Sequence, residues 1–336
     1  MKTTALKSMT QLRQGQLLRL ASYAAIIVIL ILLPPFLPSY VQSLMTKILI
    51  FAIFAMSLDL IMGYTGLISL GHAAYFGVGG YTVGILLIHY DISMLWISAP
   101  VGILMAVLFA AIFGLIALRV TGFYFIFVTM ALGQLLFSIA FKWEWLSTVG
   151  VEAIVGIPRP AVGLPWFSWS PTSFYYFVLL AFVLCFFLLN RLVHSPFGYA
   201  LQGIRDSEPR MRVLGYNTWL YKYIAFVIAG AFAGVGGVLF AYHNSIVVPT
   251  HLSITTSALV MFMVILGGTG TLYGPVIGAA VLIPVEFYAG LITPERWPLI
   301  LGGAFVLSIM YVRAGIGVYL FRLWNKVVYR YGSIKG

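Results

Sequence analysis

Asp59 and His72 stand thirteen residues apart in stretches apolar enough to cross a membrane, MSLDLIMG and SLGHAAYF. A carboxylate and an imidazole are the groups that general acid–base chemistry uses. An ionisable side chain in hydrocarbon is costly enough to be a functional candidate in its own right. Asp59 reads as a solute-pathway carboxyl or as a hydrogen-bonded structural one, and His72 as a pathway or a packing histidine. Thirteen residues across a glycine-rich stretch do not fix the geometry of a catalytic pair. The surrounding chemistry is sparse. His243 and His251 flank one loop without a third ligand, and no His/Cys/Glu group has metal spacing. There is no Gly-x-Ser-x-Gly elbow. No Gly-Lys dipeptide occurs at all, so the chain has no P-loop for ATP. No catalytic and no metal-ligating residue is expected, nor any cofactor bound by this chain. An arginine ladder and a TVGYG filter are also missing, which excludes a voltage-gated potassium channel.

Polar residues instead gather around two glycine-interrupted stretches, GYTGLISLGHAAYFGVGGYT (Gly63–Thr82) and LGGTGTLYGPVIGAA (Leu266–Ala280). Both contain Gly-x-Thr-Gly, at Gly63–Gly66 and Gly267–Gly270. Glycine at membrane depth permits unwound backbone whose free N–H and C=O groups line a passage. It also permits close helix contact, the reading favoured for Gly230, Gly234 and Gly237. Paired interruptions in the two halves point to a solute route. The pathway candidates are therefore Asp59, Thr65, Ser69, His72, Tyr75, Thr129, Gln134 and Thr269. Transport by a lone secondary transporter or channel remains the alternative of another class; a relay of intramembrane carboxylates would mark it, and Asp59 is the lone one mid-span.

The elements that must carry these residues are helices. The chain is 62% hydrophobic and 8% charged, with a mean hydropathy of +1.05. Its apolar runs are continuous rather than alternating, which indicates an all-α polytopic membrane protein and not a barrel. Ten spans are expected, at 20–37, 43–62, 70–89, 94–118, 122–141, 174–191, 220–242, 254–267, 275–292 and 297–318, falling to eight if two short ones form a re-entrant hairpin. The N-terminal apolar run lacks a small-x-small cleavage site and ends in PPFLP, so it reads as a retained first helix. The lone Cys185 lies in an apolar run and reads as a packing residue.

With the N-terminus inside, fifteen of nineteen Lys and Arg fall on the inner side; Lys47, Lys142, Arg159 and Arg296 fall outside. This places both termini in the cytoplasm. It gives a cytoplasmic segment 1–19, a membrane domain 20–318 and a basic cytoplasmic tail 319–336. The net charge of +11 is thus a topological signature and does not imply nucleic acid. Tryptophans and tyrosines near span ends form aromatic belts. One segment resists the apolar pattern: IRDSEPRMRVLGYN, Ile204–Asn217, within the inner loop 192–219, carries five charges in eight residues. A charged island cannot sit in hydrocarbon. Pro209 near its start and Gly215 as a helix-terminating residue suggest a short helix with a mixed-charge face, suited to a soluble partner.

The stretch Gly63–Thr82 resembles the GYxGxxSLGHAAFFGxGAYT signature of the second permease subunit of branched-chain amino acid ABC importers. The resemblance continues through SPFGYALQGIRDSEPRMRVLGYNTWLYKYIAFVIAGAFAGVGGVL (Ser195–Leu239) and VILGGTGTLYGPVIGAAVL (Val264–Leu282), covering roughly residues 44–318. It departs in the outer loop, where Val149 replaces a glycine of the family pattern. LDLIMGYTG, Leu58–Gly66, is also similar to the urea and short-amide permeases, which leaves those solutes as an alternative. The resemblance implies a bacterial inner-membrane location. It further implies a second permease subunit, two cytoplasmic ATPase subunits that bind the ATP, and an extracytoplasmic solute-binding protein. It makes the charged island the ATPase coupling loop, with Arg205, Asp206, Glu208, Arg210, Arg212 and Gly215 as its working residues.

Overall fold

The computed structural model describes residues 30–143, 153–161 and 169–292, with a few positions between 299 and 319. It is an all-α polytopic membrane protein. Among the described residues, six helices are long and apolar enough to cross a membrane. They are α1 (Ser39–Asp59, prolonged by a π turn at Leu60–Tyr64), α3 (Leu95–Ala117), α4 (Phe123–Lys142), α5 (Pro171–Val193), α8 (Thr218–Asn244) and α10 (Tyr273–Ile292). Two shorter apolar helices join them, α2 (Ala73–Ile88) and α9 (Ile254–Gly267). Each matches one expected span, with ends shifted by a few residues. The expected spans 20–37 and 297–318 lie largely outside the described residues, as do segments 1–19 and 320–336.

Helices apolar on every side sort by depth rather than by face. The central pair is α1 and α8, whose apolar windows are 78% and 67% buried, against 28–33% for α3, α4, α5 and α10. Around α8 pack α1, α2 and α3, and α1 also holds α5 and α10. The close fit of α8 rests on small residues. A Cβ on Gly237 would lie 1.8 Å from the Phe76 carbonyl oxygen of α2, and one on Gly230 would lie 2.3 Å from Ala110 Cβ of α3. The glycine stripe of α8 is therefore a packing surface.

Polar contacts gather at the two ends of the bundle. At one end Lys47 pairs with Glu286 at 3.3 Å, Ser43 meets His243, and Thr172 donates to Gln42. Here two-residue strands β1 (Ile154–Val155) and β2 (Ile246–Val247) pair antiparallel, Ile154 opposite Val247. They tie the described part of the long outer connection to the turn after α8, and Ile154 packs on Gly84. At the other end lie the two glycine breaks and the charged island.

Two stretches of irregular backbone run through the interior. One, residues 65–72, joins α1 to α2; the other, residues 248–253, leads from β2 into α9 through a 3-10 turn at Pro249–Leu252. The short helices begin side by side: the Ala73 N–H donates to Ser257 Oγ at 3.0 Å, and Leu252 fills the space beside Gly77. Non-helical backbone at such depth is tolerated where protein encloses it.

Candidate functional site

The site is built where the two glycine breaks meet. At the end of α1 the chain widens into the π turn Leu60–Tyr64, a form that recurs at functional positions. Thr65 Oγ1 closes this turn by donating to the Leu60 carbonyl at 2.9 Å. The second break separates α9 from α10 over residues 268–272. Asp59 joins the two. Its Oδ1 accepts the Gly270 N–H at 2.7 Å, while its Oδ2 is buried with no hydrogen-bond partner among the described residues. The contact requires glycine at 63, because a Cβ there would lie 2.1 Å from Asp59 Oδ1 and 2.3 Å from the Gly270 nitrogen. So Asp59 serves as a tie between halves of the chain 211 residues apart.

The other candidates divide. His72 Nε2 shares a hydrogen with Ser57 Oγ at 2.9 Å, and its ring stacks on Phe54. Tyr75 stands edge-on to His72, Phe113 and Phe226. Both are part of an aromatic layer beneath the break; Asp59 and His72 are routed to different partners and form no hydrogen-bonded pair. His72 Nδ1 and Ser69 Oγ are buried and have no hydrogen-bond partner among the described residues. Thr129 Oγ1 turns back to the Ile126 carbonyl, while its own carbonyl meets Gly71, where a Cβ would lie 1.9 Å away. Thr269 is exposed beside Gly270. Gln134 is not brought to the breaks. It lines a groove along α4 with Ala131, Leu135, Ser138 and Lys142. Among the described residues no group of His, Cys, Asp and Glu is placed to hold a metal ion.

The charged island folds as two helices, α6 (Pro196–Asp206) and α7 (Glu208–Val213), bent at Ser207. Ser195 caps α6 and a proline enters its first turn. Gly215, at φ +88°, ends α7: its N–H donates to the Arg212 carbonyl and the Tyr216 N–H to the Met211 carbonyl, a Schellman closure. The charges then point different ways. Arg205 turns inward, its Nη1 donating to the Gly63 carbonyl at 2.5 Å and its Nε and Nη2 to Asp206 Oδ1. Glu208 gathers Arg212, Thr218 and Lys222 at 2.7, 2.9 and 2.5 Å. Burial would raise the Glu208 pKa, but the hydrogen bonds from Lys222, Arg212 and Thr218 outweigh it and hold the carboxyl below its ordinary value. Arg210 stays exposed, next to Val213 and Leu214, whose side chains are 89% and 65% exposed.

A family model for the branched-chain amino acid transport system / permease component matches residues 40–314, spanning both breaks and the charged island. The chain belongs to that family. It is 31% identical over 293 residues to the high-affinity branched-chain amino acid transport system permease protein LivM of Escherichia coli (strain K12), covering 81% of this chain and 68% of that one. The Salmonella typhimurium LivM gives the same identity and coverage. A probable branched-chain amino acid transport permease protein LivM of Methanocaldococcus jannaschii is 25% identical over 272 residues, 70% of this chain and 77% of that one. No solved structure matches. As a permease component, this chain is the membrane-spanning part of a transport system and not its catalyst.

Two features of the permease escape a reading of its sequence. Lys222 is almost fully buried at the start of α8, and Ser57 partners His72. A lone lysine opening an apolar helix is a signal that a carboxylate must meet it; nothing in the spacing identifies that carboxylate as Glu208.

Proposed function

We propose that this permease is the transmembrane subunit of an ATP-driven ABC importer that carries leucine, isoleucine and valine across a bacterial inner membrane. The family match over residues 40–314 carries this reading, together with relatives named for branched-chain amino acid transport. In it, the chain pairs with a second permease subunit and two cytoplasmic ATPase subunits hold the ATP. An extracytoplasmic binding protein delivers the solute. Ten helices with both termini in the cytoplasm would put α6 and α7 on the ATPase side of the membrane. The α6–α7 unit seats Leu201 in the apolar core and is bonded to the π turn through Arg205, while its charged face stays outside, which suits a part that passes movement from a soluble engine to membrane helices. Asp59, Thr65, Ser69, His72, Tyr75, Thr129 and Thr269 then border or support the solute route, with Gln134 on the neighbouring α4 face.

The test is uptake of radiolabelled leucine into vesicles holding the permease, its partner permease and the ATPases. Uptake that needs ATP and the binding protein is expected. Uptake by this chain alone, driven by an ion gradient, would replace the reading with a secondary transporter.

A further inference from the structure

We propose that Arg205 is a positioning residue that latches the two glycine breaks against each other, so that displacement of α6 opens the bundle between them. The proposal rests on the reading of the chain as a driven permease. Arg205 occupies the last turn of α6. Its guanidinium is held by Asp206 through Nε and Nη2, both at 3.2 Å, which leaves Nη1 free for the Gly63 carbonyl. That carbonyl belongs to the π turn at the end of α1, where backbone acceptors lose their helical partners. The stem of Arg205 lies over Gly66, with Cγ 2.8 Å from the place a Cβ would take. The same Nη1 lies 3.2 Å from the corresponding place on Gly270, whose N–H is held by Asp59.

One side chain thus touches both Gly-x-Thr-Gly segments, and the ties run α6, Arg205, Gly63 and, beside it, Asp59 to Gly270. A planar fork with several fixed N–H groups is suited to hold a carboxylate and a carbonyl at once; a lysine offers one flexible point charge instead. The position is also the place where a small shift has a large effect. The π turn is underwound, Gly66 and Gly270 adopt positive φ, and the carboxylate beneath them has a second oxygen with no hydrogen-bond partner among the described residues. Withdrawing the guanidinium leaves Asp59 and Gly63 without the cation that covers them.

Ser69 supplies a reporter. It is 1% exposed, and its hydroxyl has no hydrogen-bond partner among the described residues, so Ser69→Cys removes no such contact there. The native Cys185, 5% exposed in α5, reports on general loosening. The full complex is prepared in inside-out vesicles, with Cys185→Ser added when Ser69→Cys is read. Labelling by a small methanethiosulfonate reagent is timed. Arg205→Gln is expected to speed labelling of Ser69→Cys about tenfold, the factor that loss of one charge-assisted hydrogen bond implies, with labelling of Cys185 unchanged. Arg205→Lys keeps a cation but loses the fork, and should retain only part of the protection. If Arg205→Gln fails to assemble, Gly63→Ala carries the test from the other side of the latch, because its Cβ collides with Asp59 and Gly270 and displaces the carbonyl that Arg205 holds, with no residue of α6 changed. An unchanged rate at Ser69→Cys in an assembled complex overturns the latch. So does an equal rise at Cys185, which would mean that the variant loosens the whole bundle. The labelling needs no solute, so absence of leucine uptake would sink the proposed function without deciding this result.

Discussion

Glu208 governs the footing of the charged island. Lys222 is buried to 10% side-chain exposure and accepts Glu208 as its counter-ion; Arg212, far more exposed, adds a second cation. The two contacts differ in worth. Exposed Arg212 is screened by water, whereas a buried ammonium left alone pays its desolvation in full. Replacing Glu208 by glutamine should therefore destabilise the permease by about 1–2 kcal/mol, read as a lower melting temperature in detergent. The pH dependence follows from the depressed carboxyl. A group whose folded pKa lies below its unfolded one stabilises the fold above the unfolded value and loses that contribution as pH falls through the folded value. The gap between wild type and Glu208→Gln should be full at neutral pH and close on acidification below the ordinary glutamate range. A gap that stays constant to pH 3 would show that the charge of Glu208 contributes nothing.

At the scale of elements, glycine does two separable jobs. Along α8 it lets helices touch; at the breaks it lets chains cross. Gly237→Ala should cost about 1–3 kcal/mol by overpacking α8 on α2, whereas Gly290→Ala in α10, with nothing among the described residues within 4 Å of its Cβ, should leave the melting temperature within error. Equal effects would remove the packing role of the α8 stripe. That stripe and both breaks were legible in the sequence, because small residues at helical spacing and Gly-x-Thr-Gly pairs are local patterns. The helices were legible for the same reason, run by run. What met what was not. Gly63 and Arg205 are separated by 142 residues, Asp59 and Gly270 by 211, and no periodicity marks either contact. Helices apolar on every face give no sign of which face turns inward, so Gln134 reads in sequence like Asp59 and lies elsewhere. The direction of Arg205 was hidden too: five neighbouring charges suggest one exposed surface, and folding at Ser207 divides them between the bundle and the solvent.

In the whole molecule, the α6–α7 unit is held by apolar packing and by two polar ties, and is free at its tip: Leu201 enters the main core, and Ala200, Ile204 and Met211 pack with Tyr221 of α8. Arg205 ties it to the breaks, Glu208 ties it to the foot of α8, and its tip points away from both. The tip carries Arg210, Val213 and Leu214, and Arg210 makes no ion pair among the described residues. Large aliphatic side chains exposed beside a cation, on a part of the chain too charged for hydrocarbon, are the surface that the proposed importer would present to a soluble partner. In the proposed importer that partner is an ATPase subunit. Since the tip contributes little to the chain's own packing, Val213→Asp with Arg210→Glu should leave folding intact, judged by an unchanged elution profile and melting temperature. Retention of the ATPase during purification should fall at least tenfold, the scale of a lost interface anchor, and leucine-stimulated ATP hydrolysis should fall with it. Arg205→Gln makes the opposite separation: the ATPases stay bound because the tip is untouched, while hydrolysis loses its dependence on solute because the tie to the breaks is gone. If the tip variant keeps its ATPases and its stimulated hydrolysis at low salt, where charge contacts are strongest, the α6–α7 unit is not the connection between the engine and the membrane helices.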